Sequence, residues 1–192
     1  MYDVRNYRSL ISVFKPKILR GLLFVHQTSY IVHPTSYTEK MLLDIDFIQY
    51  KNKLRIRKTS ERMEIYDPVR RRYFMLQPEE MVRQLVIQFL LLGKNYPLSK
   101  MRSEMGLTVN GLMKRCDILI FDKNLNPFFL IECKSAKIAI NQDVFDQIAR
   151  YNLSFKVPYL MVTNGMATFC CKMNYDTEGY EFLEEIPELR IE

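Results

Sequence analysis

The sequence contains no long hydrophobic run. The purely apolar stretches, such as residues 89–92, are far too short to cross a bilayer. No secretory leader is expected either: Lys15, Lys17 and Arg20 interrupt the apolar N-terminal region, and no small-residue cleavage site follows. The four cysteines, Cys116, Cys133, Cys170 and Cys171, form no CxxC pair, and no histidine stands at zinc-finger spacing from them. Reduced thiols in a cytoplasm are therefore expected rather than disulfides or a zinc site. There is no internal repeat, no low-complexity segment and no GxxxxGK[ST] phosphate loop.

What is present fits one globular domain: 192 residues, of which 48% are hydrophobic. The net charge is +6, but residues 1–40 hold six Lys or Arg against two acids and so carry +4 of it. The body, residues 41–192, is only mildly basic, and global charge alone does not establish a nucleic-acid partner. Residues 1–40 read as a basic N-terminal extension, and a natural start at Met41 is expected over a basic arm.

Residues 41–76 are basic and irregular, and Lys51 to Arg62 suggest an exposed strand or hairpin arm before a turn at Asp67-Pro68. The Arg70-Arg71-Arg72 run is balanced between a solvated face and a phosphate contact. From Pro78 to about Leu92, Met81, Val82, Leu85, Val86, Phe89 and Leu90 recur at helical spacing, with Pro and two Glu at the start and Gly93 at the stop. Three strands are predicted next: 103–109, 115–122 and 128–135, the first two joined by a hairpin turn at Asn110-Gly111. A helix over about 142–153 and strands at 159–163 and 168–173 follow, and the acidic tail after Tyr175 has no clear pattern. A meander followed by a helical crossover implies an α/β fold with a mixed central sheet flanked by helices.

The chemistry concentrates on the second and third of those strands. Asp117 stands on one, and Glu132-Cys133-Lys134 on the next. Strand alternation points Glu132 and Lys134 to one face and Cys133 to the other, and the hairpin can set Asp117 beside Glu132. Both strands are otherwise apolar, where charges are rare unless paired or bound to a metal. Two close carboxylates repel, and a hard cation such as Mg²⁺ relieves that repulsion. Lys134 beside it would orient water and balance charge on a phosphate. The bland alternative is a Glu132–Lys134 ion pair at a strand end with Asp117 unrelated. On the second helix Gln147 and Tyr151 share a face, next to Arg150, and either position a water or form a polar shoulder. Glu80 could add a carboxylate or merely compensate the helix dipole, and Glu104 could reach the region or be solvated.

Several segments in order then resemble one family: Tyr66-Asp67-Pro68-Val69-Arg70, Leu76-Gln77-Pro78-Glu79-Glu80-Met81-Val82-Arg83-Gln84, Lys114-Arg115-Cys116-Asp117, Ile131-Glu132-Cys133-Lys134, Phe145-Asp146-Gln147-Ile148-Ala149-Arg150-Tyr151-Asn152 and Val162-Thr163-Asn164-Gly165. Over about residues 45–175 the chain resembles the N-terminal nuclease domain of type I restriction enzyme R subunits, in its stand-alone form. The resemblance implies a restriction-endonuclease-like PD-(D/E)XK fold and Mg²⁺-dependent (or Mn²⁺-dependent) DNA cleavage. It places the metal carboxylates on Asp117 and Glu132, the catalytic lysine on Lys134 and the glutamine–tyrosine pair on Gln147 and Tyr151. The helix glutamate falls on Glu79 or Glu80, and Glu80 is chosen. The family pattern usually has Thr at Gln77 and Trp at Met81, neither of which touches this chemistry. With no phosphate loop here, any translocation is expected to come from a restriction or motor partner, and a homodimer is plausible for cutting both strands. The rival expectation is a non-catalytic module that uses the same fold to bind nucleic acid or protein. RNA in place of DNA stays open.

Overall fold

The computed structural model describes residues 42–109 and 112–190. The basic extension and the Asn110-Gly111 turn lie outside the described residues.

The first long helix, α1, spans Pro78–Leu92, with Pro78 just inside its start and Glu79 and Glu80 in the first turn. Its apolar stripe is buried as the spacing requires, but so are Ile87, Glu80, Arg83 and Gln84, so the helix is enclosed on nearly every side. Gly93 ends it, but without the left-handed conformation that a glycine at a helix end commonly supplies. The residue has φ of −94°, an ordinary right-handed conformation, so no left-handed cap is formed. A Cβ there would instead come within 2.5 Å of the Tyr50 hydroxyl and 2.9 Å of the Phe89 carbonyl oxygen. Glycine is required by close approach.

Six strands form the main sheet: β4 (Met101–Val109), β5 (Leu112–Phe121), β6 (Pro127–Cys133), β7 (Tyr159–Thr163), β8 (Thr168–Asn174) and β9 (Gly179–Phe182), side by side in chain order. All neighbours are antiparallel except β6 and β7, which are parallel. Their connection is the second long helix, α2 (Gln142–Phe155), the crossover that a parallel pair demands. Asn141 caps it by accepting from the Val144 N–H at 3.0 Å. The sheet separates two cores. Ile118, Ile120, Phe129, Ile131 and Cys133 pack with α1, whereas Leu119, Leu130, Leu160 and Val162 pack with Phe145 and Ala149 of α2.

Residues 42–76 hold more structure than an exposed arm. After a short 3-10 helix, Phe47–Lys53, the strands β1 (Ile56–Lys58), β2 (Met63–Asp67) and β3 (Arg72–Met75) make a separate three-stranded antiparallel sheet. The tail is also used: β9 extends the main sheet, Ile186 is buried, and the Tyr96 hydroxyl donates to the Pro187 carbonyl. The architecture is mixed α/β and compatible with a restriction-endonuclease-like fold. Among the described residues no helix is long and apolar enough to cross a membrane.

Candidate active site

Asp117 is placed by a local departure from strand regularity. The β5–β6 register pairs Ile118 with Ile131, so one step further sets Asp117 opposite Glu132. Strict alternation would put Cys116 and Ile118 on one face, yet Cys116 packs on the α2 side and Ile118 on the α1 side. The strand therefore rotates at Asp117. Across the ladder, the pair that would join Asp117 to Glu104 is missing, and Glu104 has φ of 56°, in the left-handed region. The rotation turns Asp117 toward α1. Its Oδ1 accepts from Arg83 at 2.6 Å and its Oδ2 from the Cys133 amide at 2.7 Å, with the residue 8% exposed.

Glu132 and Lys134 stand together as alternation requires. Lys134 Nζ lies 2.8 Å from Glu132 Oε1, and the Lys134 amide donates to the Thr163 carbonyl at 2.8 Å, fixing the strand end. Burial, followed by the nearby charge of Asp117, pushes the Glu132 carboxyl up to about 7. Burial opposes the Lys134 charge, but the hydrogen bond and charge of Glu132 together with Asp117 hold its pKa above the usual lysine range. The pair opens on a cavity of about 290 Å³ that is also lined by Arg115, Gln147 and Asn152. Gln147 is exposed there. The backbone of Tyr151 lies in α2, but its side chain is outside what is described.

On the other side of Asp117 lies a network of arginines and acids. Arg83 reaches Glu80 at 2.5 Å, Asp117 at 2.6 Å and Glu79 at 3.8 Å, and it also pairs with Glu104. Arg70 bridges Asp67 at 2.6 Å and Glu80 at 2.7 Å, so this member of the arginine run is not a solvated residue. Gln84 donates to Glu80 at 2.9 Å. Both Glu80 oxygens are thus occupied by Arg70, Arg83 and Gln84. Glu104 is not solvated either: it pairs with Arg83 and with the exposed Arg115. Glu79, at 44% side-chain exposure, is the freer of the two helix glutamates. Burial and then the Asp117 charge raise its pKa, while Lys134 pulls it down, so its charge is felt by the Asp117–Glu132–Lys134 set. A second cavity, about 640 Å³, runs along Arg70, Arg72, Glu79, Arg83, Glu104 and Arg115.

The donor set is one of hard carboxylate oxygens, suited to Mg²⁺ or Mn²⁺. The nearby thiols do not compete: burial raises Cys116 to about 11 and Cys133 well above the usual thiol range. Among the described residues no three such groups stand together as a set that could hold a metal ion. Arg83 stands between Asp117 and the helix glutamates.

The sequence offered Glu104 as a residue that could reach this region, as it does, but no role for Arg83. The available signal was Arg83 at three and four residues from Glu80 and Glu79, in the middle of a largely apolar helix.

The geometry agrees with a comparison of the chain against protein families. Residues 78–187, more than half of the chain, match the model described as type I restriction enzyme R protein N terminus (HSDR_N). The chain belongs to this family. No curated protein matches it. Family membership gives the chain a nuclease-related role; the matched span holds Glu79, Glu80, Arg83, Asp117, Glu132, Lys134 and Gln147, and leaves the three-stranded sheet outside it.

Proposed function

We propose that this chain is a metal-dependent DNA endonuclease that hydrolyses phosphodiester bonds with Asp117, Glu132 and Lys134. The observation that carries the reading is the Glu132–Lys134 pair, 2.8 Å apart, beside Asp117 on the neighbouring strand and open to a cavity. Asp117 and Glu132 would hold Mg²⁺ or Mn²⁺, joined by a glutamate of α1. Glu80 was expected for that place, but its oxygens are engaged, and Glu79 is the better positioned. A bound divalent cation supplies an acidified water and neutralises charge on the phosphate.

The chain's own residues do the rest. Lys134 keeps its proton and places a positive charge where the phosphate oxygens would gather. Gln147 faces the same cavity and would orient water; Tyr151, four residues on, belongs to the same expectation. Arg72 and Arg115 line the second cavity, and the guanidiniums of Arg55 and Arg57 sit over the rings of Tyr66 and Tyr73, 4.2 and 3.8 Å from the centroids. These guanidiniums would hold the DNA backbone without reading bases. A motor or restriction partner, a second copy of the chain and a reducing cytoplasmic setting remain part of the reading.

The test is cleavage of supercoiled and single-stranded DNA with Mg²⁺ or Mn²⁺, comparing the parent with Glu132→Ala and Lys134→Ala. Cutting that depends on metal and is lost in both variants is expected. Equal cutting by the variants would sink the assignment. The hold of Arg83 on Asp117 favours a second reading, a non-cleaving binding module. Salt-sensitive DNA binding with no cutting by the parent would select it.

A further inference from the structure

We propose that Arg83 is the internal counter-ion of this acidic site and competes with the divalent cation for Asp117, so that Arg83 sets how tightly the cation is held. The inference rests on the nuclease reading above and adds a control on it.

Four facts lead there. Arg83 is a helix residue 4% exposed, and carboxylates from α1, β4 and β5 all converge on it. An arginine serving only as a structural clamp would fill its donors in fork geometry. Here one terminal nitrogen is shared among Asp117, Glu104 and Glu79, while Nε is buried without a partner. The guanidinium sits where negative charge is densest rather than where its hydrogen bonds are best.

The local charge is also incomplete. The ion pairs around Asp117 join six carboxylates (Asp67, Glu79, Glu80, Glu104, Asp117 and Glu132) to four cations (Arg70, Arg83, Arg115 and Lys134). With every carboxyl ionised, the excess is two negative charges, the complement of one divalent ion.

Finally, the two oxygens of Asp117 have unequal partners. Oδ2 accepts from the Cys133 amide, fixed in a strand, while Oδ1 accepts from Arg83, a side chain that can turn. A cation taken by Asp117 must displace Arg83 from Oδ1 or share it. Arg83 can give up Oδ1 and still be paired, because Glu80 and Glu104 remain to hold it and Arg70 and Gln84 keep Glu80 in place. Its role is positioning and tuning rather than contact with the reacting atoms.

The experiment is calorimetric titration of Mn²⁺ into the full chain, as parent, Arg83→Gln, Arg83→Lys and Asp117→Asn. Removing one facing positive charge shifts a site's affinity for a cation by about tenfold or more. Arg83→Gln is therefore expected to bind Mn²⁺ about tenfold more tightly, Arg83→Lys to stay near the parent, and Asp117→Asn to weaken. Equal affinity in Arg83→Gln and parent, with Asp117→Asn weakened, would overturn the role of Arg83 and leave the nuclease reading standing. No Mn²⁺ binding by any form would overturn both. Should Arg83→Gln not fold, nitrogen NMR of the arginine side chains in the parent decides. The Arg83 signals must shift as Mg²⁺ saturates the chain, and unshifted signals would overturn the proposal.

Discussion

The two sides of Asp117 are built from the same residue types and behave differently. Toward α1, Glu80, Arg83, Glu104 and Asp117 are nearly sealed, and arginine meets carboxylate at 2.5 to 2.7 Å. Toward α2, Glu132 and Lys134 are about a quarter exposed, with a single short contact between them and an exposed glutamine beyond. A charge held by several partners can give up one contact and stay in place, but removing the residue outright strands the others. Charges with one partner and an open side are free to meet a substrate. The α1 side would then hold the site's shape and present Asp117 to the cation, and the α2 side would meet the substrate.

The sharpest way to break this comparison is Arg83→Ala. Taking one member from a buried ion network leaves uncompensated charge and costs about 3 to 5 kcal/mol. Chemical denaturation should show that loss, and a cost below about 1 kcal/mol would mean that the network is not holding the fold. Next comes a paired substitution. Glu80→Gln should lower stability by roughly 1 to 3 kcal/mol, because Arg70 and Arg83 lose a charged partner. Glu79→Gln should barely change the melt and should weaken Mn²⁺ binding. The reverse pattern would hand the metal to Glu80.

A smaller effect concerns pH. Glu132 is raised from 4.5 to about 7 in the folded chain, so folding favours its protonated form. The associated stability is full below about 4.5, declines as pH rises and is gone once pH has passed about 7. Glu132→Gln should remove this slope, worth on the order of 1 to 2 kcal/mol, so the parent's melting temperature should fall more between pH 5 and pH 8 than the variant's. Parallel curves, with metal chelated, would contradict the raised value. The smallest effect is expected from Gln147→Ala. Being exposed, it should leave the melt unchanged and slow cleavage by about tenfold or less. A drop in melting temperature would make it a packing residue.

Much of this was legible beforehand because period and chemistry agreed. The stripe from Met81 to Leu90 gave α1 its bounds, and the apolar runs that follow Asp117 and precede Glu132 made those charges conspicuous. What stayed hidden has a common cause. An arginine on a helix reads as solvated unless its tertiary partners are known, and those of Arg83 come from 21 and 34 residues away. The positive φ of Glu104 and the rotation of β5 leave no mark in a pattern built on alternation. The three-stranded sheet escaped because β1 and β3 have three and four residues, too few for a period to show. Gly93 marked the end of the helix in the sequence, but only the closeness of Tyr50 and the Phe89 carbonyl shows why a glycine stands there.

The four thiols offer a clock. All are buried, and Cys116 and Cys133 flank Asp117 and Glu132 in sequence. An alkylating reagent can reach them only during excursions that part the sheet from its helices. The labelling rate of Cys116 and Cys133, set against that of Cys170 and Cys171, would time how often the acidic centre breathes relative to the far strands. Any ligand that steadies the centre would slow the first pair alone.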